Sequence, residues 1–222
     1  MPENASVVSF ASSKGGPGKT TALIAIGDAL AAGGKRVVLL DADPNSHLLA
    51  WSTLRPAPTP NLRVVGRVTE EDILDRIRDE GGGADLILVD LEGTANNALT
   101  YATSKSHLVV VPAQASAMDL QEAFRAIALL ERASKVIERP IPHRVLLSKM
   151  PILPTRAGRH ARAQLERQGA KLFQTELMER TAFKEMTFHG RTPREIHPTS
   201  NAAANVTALT RELLDALAIE RN

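Results

Sequence analysis

The chain has 222 residues, of which 43% are hydrophobic and only 3% aromatic, and it contains no cysteine. A chain of this length can form one large domain over residues 1–222, and its core must consist mainly of Val, Ile, Leu and Ala, which suits a buried parallel sheet covered by helices. The lack of cysteine excludes disulfides, thiolate chemistry and cysteine-bound clusters. The formal net charge is +2, and the basic excess falls in residues 140–222.

The sequence predicts no membrane anchor. Its start, Met1-Pro2-Glu3-Asn4, lacks a basic region followed by an apolar one, so we expect no signal peptide. No run of about 18 apolar residues occurs, so we expect no transmembrane helix. Residues 212–222 carry acidic residues and no aromatic residue, unlike the basic amphipathic helices that insert into membranes. We therefore expect a cytoplasmic protein without a membrane partner.

A glycine-rich segment, residues 13–21, lies between an apolar run and an apolar helical stretch. A strand, a glycine-rich loop and a helix in this order form the phosphate-binding P-loop. Glycines let the backbone turn its N–H groups inward at a helix N-terminus, where they bind anions. We expect Lys19 to bridge the β- and γ-phosphates, Thr20 to coordinate Mg²⁺ and Thr21 to reach the α-phosphate. The loop residues expected to bind nucleotide are Gly15, Gly16, Pro17, Gly18, Lys19, Thr20 and Thr21.

A second lysine, Lys14, lies at the start of this loop, although an ordinary P-loop needs only Lys19. The spelling Lys-Gly-Gly-x-Gly-Lys-Thr-Thr over residues 14–21 resembles the deviant Walker A loop of the ParA/MinD family of ATPases. In that family the extra lysine crosses a dimer interface to the phosphates held by the partner subunit. The resemblance implies that Lys14 binds nucleotide and acts catalytically in an ATP-bound homodimer. The alternative is a solvated loop lysine.

Three aspartates follow apolar strands. Asp41 and Asp43 follow the strand at 35–40, and Asp90 ends a strand at 85–90 that matches the Walker B pattern, in which the aspartate holds Mg²⁺ through water. Carboxylates at the C-terminal ends of parallel strands lie at the ligand edge of an α/β sheet. The Asp-x-Asp-Pro segment is similar to the switch region of ParA proteins, which implies that Asp43 orients the attacking water and that Asp41 supports the metal. The alternative is a polar strand end followed by a proline turn.

The segment after Asp90 departs from the family pattern. Residues 91–96, Leu-Glu-Gly-Thr-Ala-Asn, replace the Asp-x-Pro-Pro that is common in chromosomal ParA proteins. Because that loop normally senses the γ-phosphate, Gly93 and Thr94 are candidate site residues by position alone.

The exit of the strand at 142–151 bears on the choice of nucleotide. GTPases recognise guanine here with Asn-Lys-x-Asp, whereas this chain has Ser148-Lys149-Met150-Pro151 and lacks the aspartate. The substitution favours ATP over GTP, and Met150 and Pro151 could pack against adenine. The alternative is an ordinary strand exit.

A helix at 155–168 carries several arginines and one acidic residue. Arg156, Arg159 and Arg162 recur every third residue and so share roughly one face. Guanidinium groups suit phosphate oxygens, and the scarcity of aromatics argues against base stacking, so the helix predicts non-sequence-specific DNA binding. A merely solvated helix face is the alternative. The arginine-bearing segment at 179–193 is similar to a ParA region that borders the nucleotide and the DNA-facing surface. Together the helix and this segment provide the DNA-binding candidates, which are Arg156, Arg159, Arg162, Arg167, Lys171, Arg180, Lys184 and Arg191.

The other elements follow from apolar periodicity and capping residues. Ser116 and Asp119 precede a long helix, where they serve either as caps or as the dimer contact that related ATPases build there. Trp51, the single tryptophan, is expected to pack in the core. The predicted elements are a helix at 46–54, an edge strand at 63–66, an acidic helix opening at Thr69, a strand at 106–112, a helix at 119–137, a short strand at 170–173 and a closing helix at 201–219.

The resemblance extends over nearly the whole chain and implies the P-loop NTPase fold, an α/β architecture with a mostly parallel twisted sheet and helices on both faces. Within the family, the chain is similar to small plasmid-partition ParA proteins and to VirC-type proteins that support T-DNA transfer. The implied function is an ATP-dependent dimerisation switch with slow hydrolysis, acting in partition or positioning of plasmid DNA, transfer complexes or other cargo. The resemblance implies that Lys14, Lys19 and Asp43 act in catalysis and that Mg²⁺ is bound with ATP. It also implies that a ParB-like or adaptor protein stimulates hydrolysis and that the protein associates with the nucleoid.

Two other functions stay open at this point. One is a metabolic P-loop enzyme that phosphorylates a small substrate, similar to dethiobiotin synthetase, in which the basic helix would have no clear role. The other is a membrane-positioning ATPase of the MinD type. An iron–sulfur reductase of the same superfamily is excluded because the chain has no cysteine.

Overall fold

Strands and helices alternate along the computed structural model, which describes residues 5–92 and 97–221, and the side chains of these residues other than Asn97 and Arg221. The strands are β1 (Ser6–Phe10), β2 (Val37–Ala42), β3 (Leu62–Val65), β4 (Leu86–Leu91), β5 (Leu108–Ala113), β6 (His143–Met150) and β7 (Leu177–Met178). The helices are α1 (Lys19–Ala32), α2 (His47–Thr53), α3 (Ile73–Gly81), α4 (Asn97–Lys105), α5 (Ala117–Val136), α6 (Arg156–Arg167), α7 (Thr181–His189), α8 (Pro193–Ile196) and α9 (Asn201–Arg221).

The strands form one sheet in the order β3-β2-β4-β1-β5-β6-β7, and each neighbouring pair is parallel. The chain moves from β1 outward to β2 and β3, returns through β4, and then crosses to β5 on the other side of β1. In an open α/β sheet, ligands bind at the carboxyl edge of such a central strand. The fold therefore places the loop after β1 at the expected ligand position.

Helices cover both faces of the sheet. Successive residues of a strand point to opposite faces, so Val7 packs with one apolar cluster and Val8 with the other. The first cluster contains residues of α3, α4, α5 and α6, and the second contains residues of α1, α2, α7 and α9. This arrangement confirms the predicted α/β class with a buried, aliphatic parallel sheet.

One prediction about local structure needs correction, and three helices were not predicted. The strand expected at 170–173 is only an isolated bridge between Leu172 and Val145, and the last strand of the sheet is Leu177–Met178. The helices α4, α7 and α8 were not predicted. α8 did have a signal, since Thr192 and Glu195 form a capping box around a first-turn proline.

Candidate nucleotide-binding site

The loop between β1 and α1 has the backbone of a phosphate cradle. Gly16 and Gly18 have φ values of 108° and 89°, a region that residues with a Cβ atom rarely adopt. Gly18 is also the N-cap of α1, and it supplies no side chain to satisfy the first N–H groups of the helix. A Cβ atom at Gly15 or Gly16 would meet nothing within 4 Å, so the space above the loop is open. An anion can therefore reach these N–H groups.

The loop is braced by residues of β5 and β6. Ser148 Oγ donates a hydrogen bond to the carbonyl of Pro17 at 2.6 Å, and Lys149 Nζ donates to the carbonyl of Gly16 at 2.7 Å. Gln114 Nε2, just after β5, donates to the same Gly16 carbonyl at 3.3 Å. Sequence reasoning missed these contacts, since residues about a hundred positions away supply them.

Lys19 and Thr20 lie where the motif predicts. The Lys19 side chain is buried, and its Nζ donates to Ser12 Oγ at 3.1 Å. Thr20 Oγ1 donates to Asp90 Oδ2 at 2.6 Å. The helix that starts at the loop and the end of β4 are thus joined at the proposed metal position.

Asp90 is fully buried, and its Oδ1 has no hydrogen-bond partner among the described residues. Burial raises the pKa of Asp90 to about 7, although the hydrogen bond from Thr20 and the charge of Lys19 lower it, and the nearby charges of Asp41 and Asp43 raise it. An unpartnered carboxylate oxygen beside a hydroxyl is the hard oxygen donor set that Mg²⁺ prefers. Within the described residues no three His, Cys, Asp or Glu side chains could hold a metal by themselves.

Asp41 and Asp43 have different roles in this geometry. Asp41 is buried, and its two oxygens accept the backbone N–H groups of Asp43 at 3.3 Å and Leu49 at 2.7 Å. Burial raises the pKa of Asp41 more than these bonds lower it. Asp41 therefore holds the segment that leads into α2, and its expected support of the metal stays a prediction. Asp43 is half-buried, lines the cavity over the loop, and accepts hydrogen bonds from Asn45.

Two neighbouring cavities flank the loop. One, of about 470 Å³, has the loop on one side and residues of the Asp43 segment, α2 and α7 on the other, Trp51 included. The second, of about 410 Å³, is more apolar; its lining includes Leu177, Met178 and Phe183. Gly18, Thr21 and Lys149 line both cavities, so the two adjoin at the start of α1.

The structure corrects the expectation for Met150 and Pro151. The Met150 side chain is buried in the core and faces Gly158 of α6, and neither residue lines the two cavities. The reason lies in Lys149, whose φ of 51° and irregular pairing break the alternation of β6. As a result Met150 joins the cluster of Leu147 instead of that of Leu146, on the face of the sheet away from α1.

Lys14, Ser116 and Asp119 lie outside the cavities. Lys14 is exposed, and within the described part of the chain its side chain forms no hydrogen bond or ion pair. Ser116 is the N-cap of α5, and its Oγ accepts the backbone N–H of Asp119 at 3.1 Å. Capping therefore accounts for these two residues. Gly93 and Thr94 lie outside the described residues.

The predicted DNA-binding residues do not share one environment. Arg162 is half-buried and pairs with Glu176 at 2.8 Å, so it does not join Arg156 and Arg159, which are exposed. The reason is that a spacing of six residues turns Arg162 by about a third of a turn from Arg156, toward the loop before β7. The other exposed candidates are Arg167, Arg191, Lys171, which is 3.7 Å from Glu220, and Lys184, which is 3.0 Å from Glu179.

Arg180, like Arg162, is not an exposed candidate. It is half-buried, it lines the more apolar cavity, and its Nε has no partner among the described residues. On α8, Arg194 pairs with Asp28 of α1 at 2.8 Å. Both arginines are thus half-buried rather than fully exposed.

Comparisons with known proteins agree with this geometry. The family model described as "VirC1 protein" matches residues 5–218. "Protein ParA" of Rhizobium radiobacter is 30% identical over 203 residues, which is 91% of this chain and 90% of the relative. "Protein virC1" of Rhizobium rhizogenes is 28% identical over 188 residues, with coverages of 83% and 81%. "Chromosome-partitioning ATPase Soj" of Thermus thermophilus is 29% identical over 240 residues, with coverages of 93% and 94%.

Solved structures share the fold. An ATP complex of a Cyanothece McdA variant superposes with a TM-score of 0.80 at 15% identity, covering 97% of both chains. The cell division ATPase MinD of Pyrococcus furiosus superposes with a TM-score of 0.79 at 17% identity, covering 95% of this chain and 99% of that one. Among the described helices none is long and apolar enough to cross a membrane.

Proposed function

Because this chain belongs to the VirC1 family of ParA/MinD-type ATPases, we propose that it is an ATP-dependent dimerisation switch that hydrolyses ATP slowly. One observation carries the proposal. The buried Asp90 keeps an oxygen without a partner among the described residues next to Thr20 and the phosphate cradle, while Lys14 of the same loop is exposed and lines neither cavity of its own subunit. The first feature fits a nucleotide with its metal, and the second fits a lysine that acts on another subunit.

The loop and α1 bind the triphosphate in this proposal. The N–H groups at the start of α1 and the Lys19 ammonium contact the phosphate oxygens, and the Thr20 hydroxyl and Asp90 hold Mg²⁺. When bound, Mg²⁺ neutralises charge that develops on the phosphate oxygens. Asp43 lies at the wall of the same cavity and orients the attacking water. No side chain of this set is a strong general base, which is consistent with slow hydrolysis that a partner protein accelerates.

The base occupies the more apolar cavity beside Gly18. Met178 and Phe183 supply an apolar surface for a planar ring, and Arg180 supplies donors at the wall. Apolar walls with a few polar groups are typical of cofactor pockets. This assignment replaces the adenine contact first expected from Met150 and Pro151.

DNA binding is the second part of the proposal. Arg156, Arg159 and Arg167 are exposed on α6, and Lys171 follows that helix. A dimer would bring two such basic surfaces together, and neutralising several phosphates gives an affinity that depends on salt but not on sequence. DNA binding of this kind would associate the protein with the nucleoid. The names of the relatives, which include chromosome partitioning and maintenance of carboxysome distribution, support a role in positioning DNA or another cargo with the help of an adaptor protein.

The test measures mass in solution and DNA binding together. Analytical ultracentrifugation with ATP, ADP or no nucleotide should show a dimer with ATP only. Lys14→Ala should weaken this dimer strongly, leaving a dimerisation constant that is still measurable at high protein concentration, while it still binds a fluorescent ATP analogue. Fluorescence anisotropy with a non-specific duplex at two salt concentrations should show binding that requires ATP and weakens with salt. A protein that stays monomeric with ATP would refute the switch, and a dimer without DNA affinity would remove the DNA role.

A further inference from the structure

The loop makes a contact with α5 that the proposed mechanism does not use. The Ser13 hydroxyl lies 2.7 Å from the backbone carbonyl of Glu122 and 2.6 Å from Glu122 Oε2. Arg125, on the next turn of α5, forms an ion pair with the same carboxylate. The Glu122 side chain is only 22% exposed. A hydrogen bond to a charged acceptor that is partly shielded from water is stronger than one between neutral exposed groups.

This contact lies directly beside Lys14. On the other side of Ser13, Ser12 Oγ donates to the carbonyl of Lys14 at 2.6 Å. Further along the loop, the Gly16 carbonyl accepts the hydrogen bond from Lys149. The backbone of Lys14 is therefore held by contacts before and after it, whereas its side chain is exposed and forms no hydrogen bond or ion pair within the described residues.

We propose that Ser13 and Glu122 are positioning residues for Lys14: their hydrogen bond fixes the backbone from which this lysine reaches the phosphates of a partner subunit. The inference rests on the proposed function, because it assigns Lys14 its action in the dimer. A lysine on a mobile loop would lose backbone as well as side-chain freedom on contact with a partner. A loop that is already fixed avoids the backbone part of this cost.

A general role as loop scaffold is the competing explanation. Neither Ser13 nor Glu122 lines the two cavities. A scaffold for the whole loop would affect nucleotide binding by a single subunit, since the same loop holds the phosphates. A positioning contact changes only what Lys14 does, so its effect must disappear when Lys14 is absent.

The experiment uses the full chain with Ser13→Ala, Glu122→Ala and Glu122→Gln, each made with Lys14 present and with Lys14→Ala. Glu131→Ala is the control, because Glu131 is an exposed acidic residue on the same helix and away from the loop. Two quantities are measured for each variant: the affinity of the monomer for a fluorescent ATP analogue, and the dimerisation constant with ATPγS from sedimentation.

With Lys14 present, we expect Ser13→Ala to weaken dimerisation at least about tenfold, the lower end of the size of one net hydrogen bond to a charged group, with nucleotide affinity within about twofold of the parent. Glu122→Ala should weaken dimerisation less, because the backbone carbonyl of Glu122 remains as an acceptor for Ser13. Glu122→Gln keeps an acceptor oxygen and should recover most of the loss. In the Lys14→Ala background the same substitutions should add nothing further.

The outcomes separate the two proposals. A parent protein that does not dimerise with ATPγS refutes the proposed switch and the positioning role with it. A parent that dimerises, with Ser13→Ala equal to it, refutes only the positioning role. The same holds if the substitutions weaken nucleotide binding, or if they are equally harmful with and without Lys14, because either result identifies a general scaffold.

Discussion

The ion pair between Asp28 and Arg194 should carry a measurable part of the folding free energy. Asp28 lies on α1, one side of which faces the sheet, and it is 1% exposed. It accepts hydrogen bonds from Thr192 Oγ1 at 2.6 Å and from Arg194 Nε and Nη2, both at 2.8 Å. The pair joins the helix that begins at the phosphate loop to α8. We predict that Asp28→Ala destabilises the fold.

The magnitude follows from what the substitution leaves behind. Removing one partner of a fully buried pair costs about 3–5 kcal/mol, because the other charge remains unpaired. Arg194 is 32% exposed, so water can reach part of its guanidinium and the cost falls to about 2–3 kcal/mol. The buried Thr192 hydroxyl also loses its acceptor, which adds about 1 kcal/mol. We therefore expect about 3–4 kcal/mol in total.

Urea unfolding measures this loss. Trp51 is buried and is the only tryptophan, so its fluorescence reports the transition. With a urea m-value of about 3 kcal/mol/M, the midpoint of Asp28→Ala should fall by about 1 M. Arg194→Ala should also destabilise, and the double variant should lose clearly less than the sum of the two single losses. A midpoint shift that corresponds to less than about 0.5 kcal/mol, as for ordinary surface substitutions, or strictly additive losses would refute this account.

Three further predictions concern catalysis, pH and DNA. Asp43→Ala should keep the ATP-bound dimer in sedimentation but release phosphate at least about tenfold more slowly, because the water loses its orienting group; phosphate release at the parental rate would contradict the role. Burial alone would raise the pKa of Glu195. The hydrogen bond from the Thr192 N–H and the ion pair with Arg55 outweigh this effect, so the pKa of Glu195 lies below its usual range. Glu195 therefore stabilises the fold above its unfolded pKa, and this stability is lost as pH falls through the folded pKa. Urea unfolding at several pH values should thus show that the free energy of unfolding of Glu195→Gln decreases less on acidification than that of the parent protein. An identical decrease in both proteins would contradict the assignment. Arg159→Glu should weaken ATP-dependent DNA binding in anisotropy and reduce its salt slope by about 1; an unchanged slope would place the DNA surface elsewhere.

Local patterns in the sequence predicted much of the architecture. Aliphatic runs that end in aspartate located β2 and β4, and the glycine pattern located the turn into α1. These features are encoded within a few residues, because strand burial and a phosphate loop each need particular residue types at fixed spacing. The sheet order and the carboxyl-edge position of Asp41 and Asp90, which are register neighbours on β2 and β4, then follow from the fold class.

What the sequence did not reveal depends on single backbone angles and on distant partners. The direction of Met150 is set by the φ of 51° at Lys149, a conformation that lysine seldom adopts. Arg162 differs from Arg159 because Glu176, fourteen residues away, accepts its guanidinium at 2.8 Å. Neither the backbone angle at Lys149 nor the contact with Glu176 can be read from the local residue pattern. A prediction from spacing alone therefore assigned Met150 and Arg162 the same environment as their neighbours.

The phosphate loop shows how local encoding and distant support combine. Its glycines provide the shape, but the carbonyls that this shape turns outward at Gly16 and Pro17 need donors, and Lys149 and Ser148 at the end of β6 provide them. Ser13 takes its acceptor from α5. The loop therefore cannot change shape without breaking hydrogen bonds to two other elements. In the proposed switch, such a fixed loop would leave the conformational response to the segment around Asp43. Among the described contacts, Asp43 Oδ1 is held only by Asn45 within its own turn.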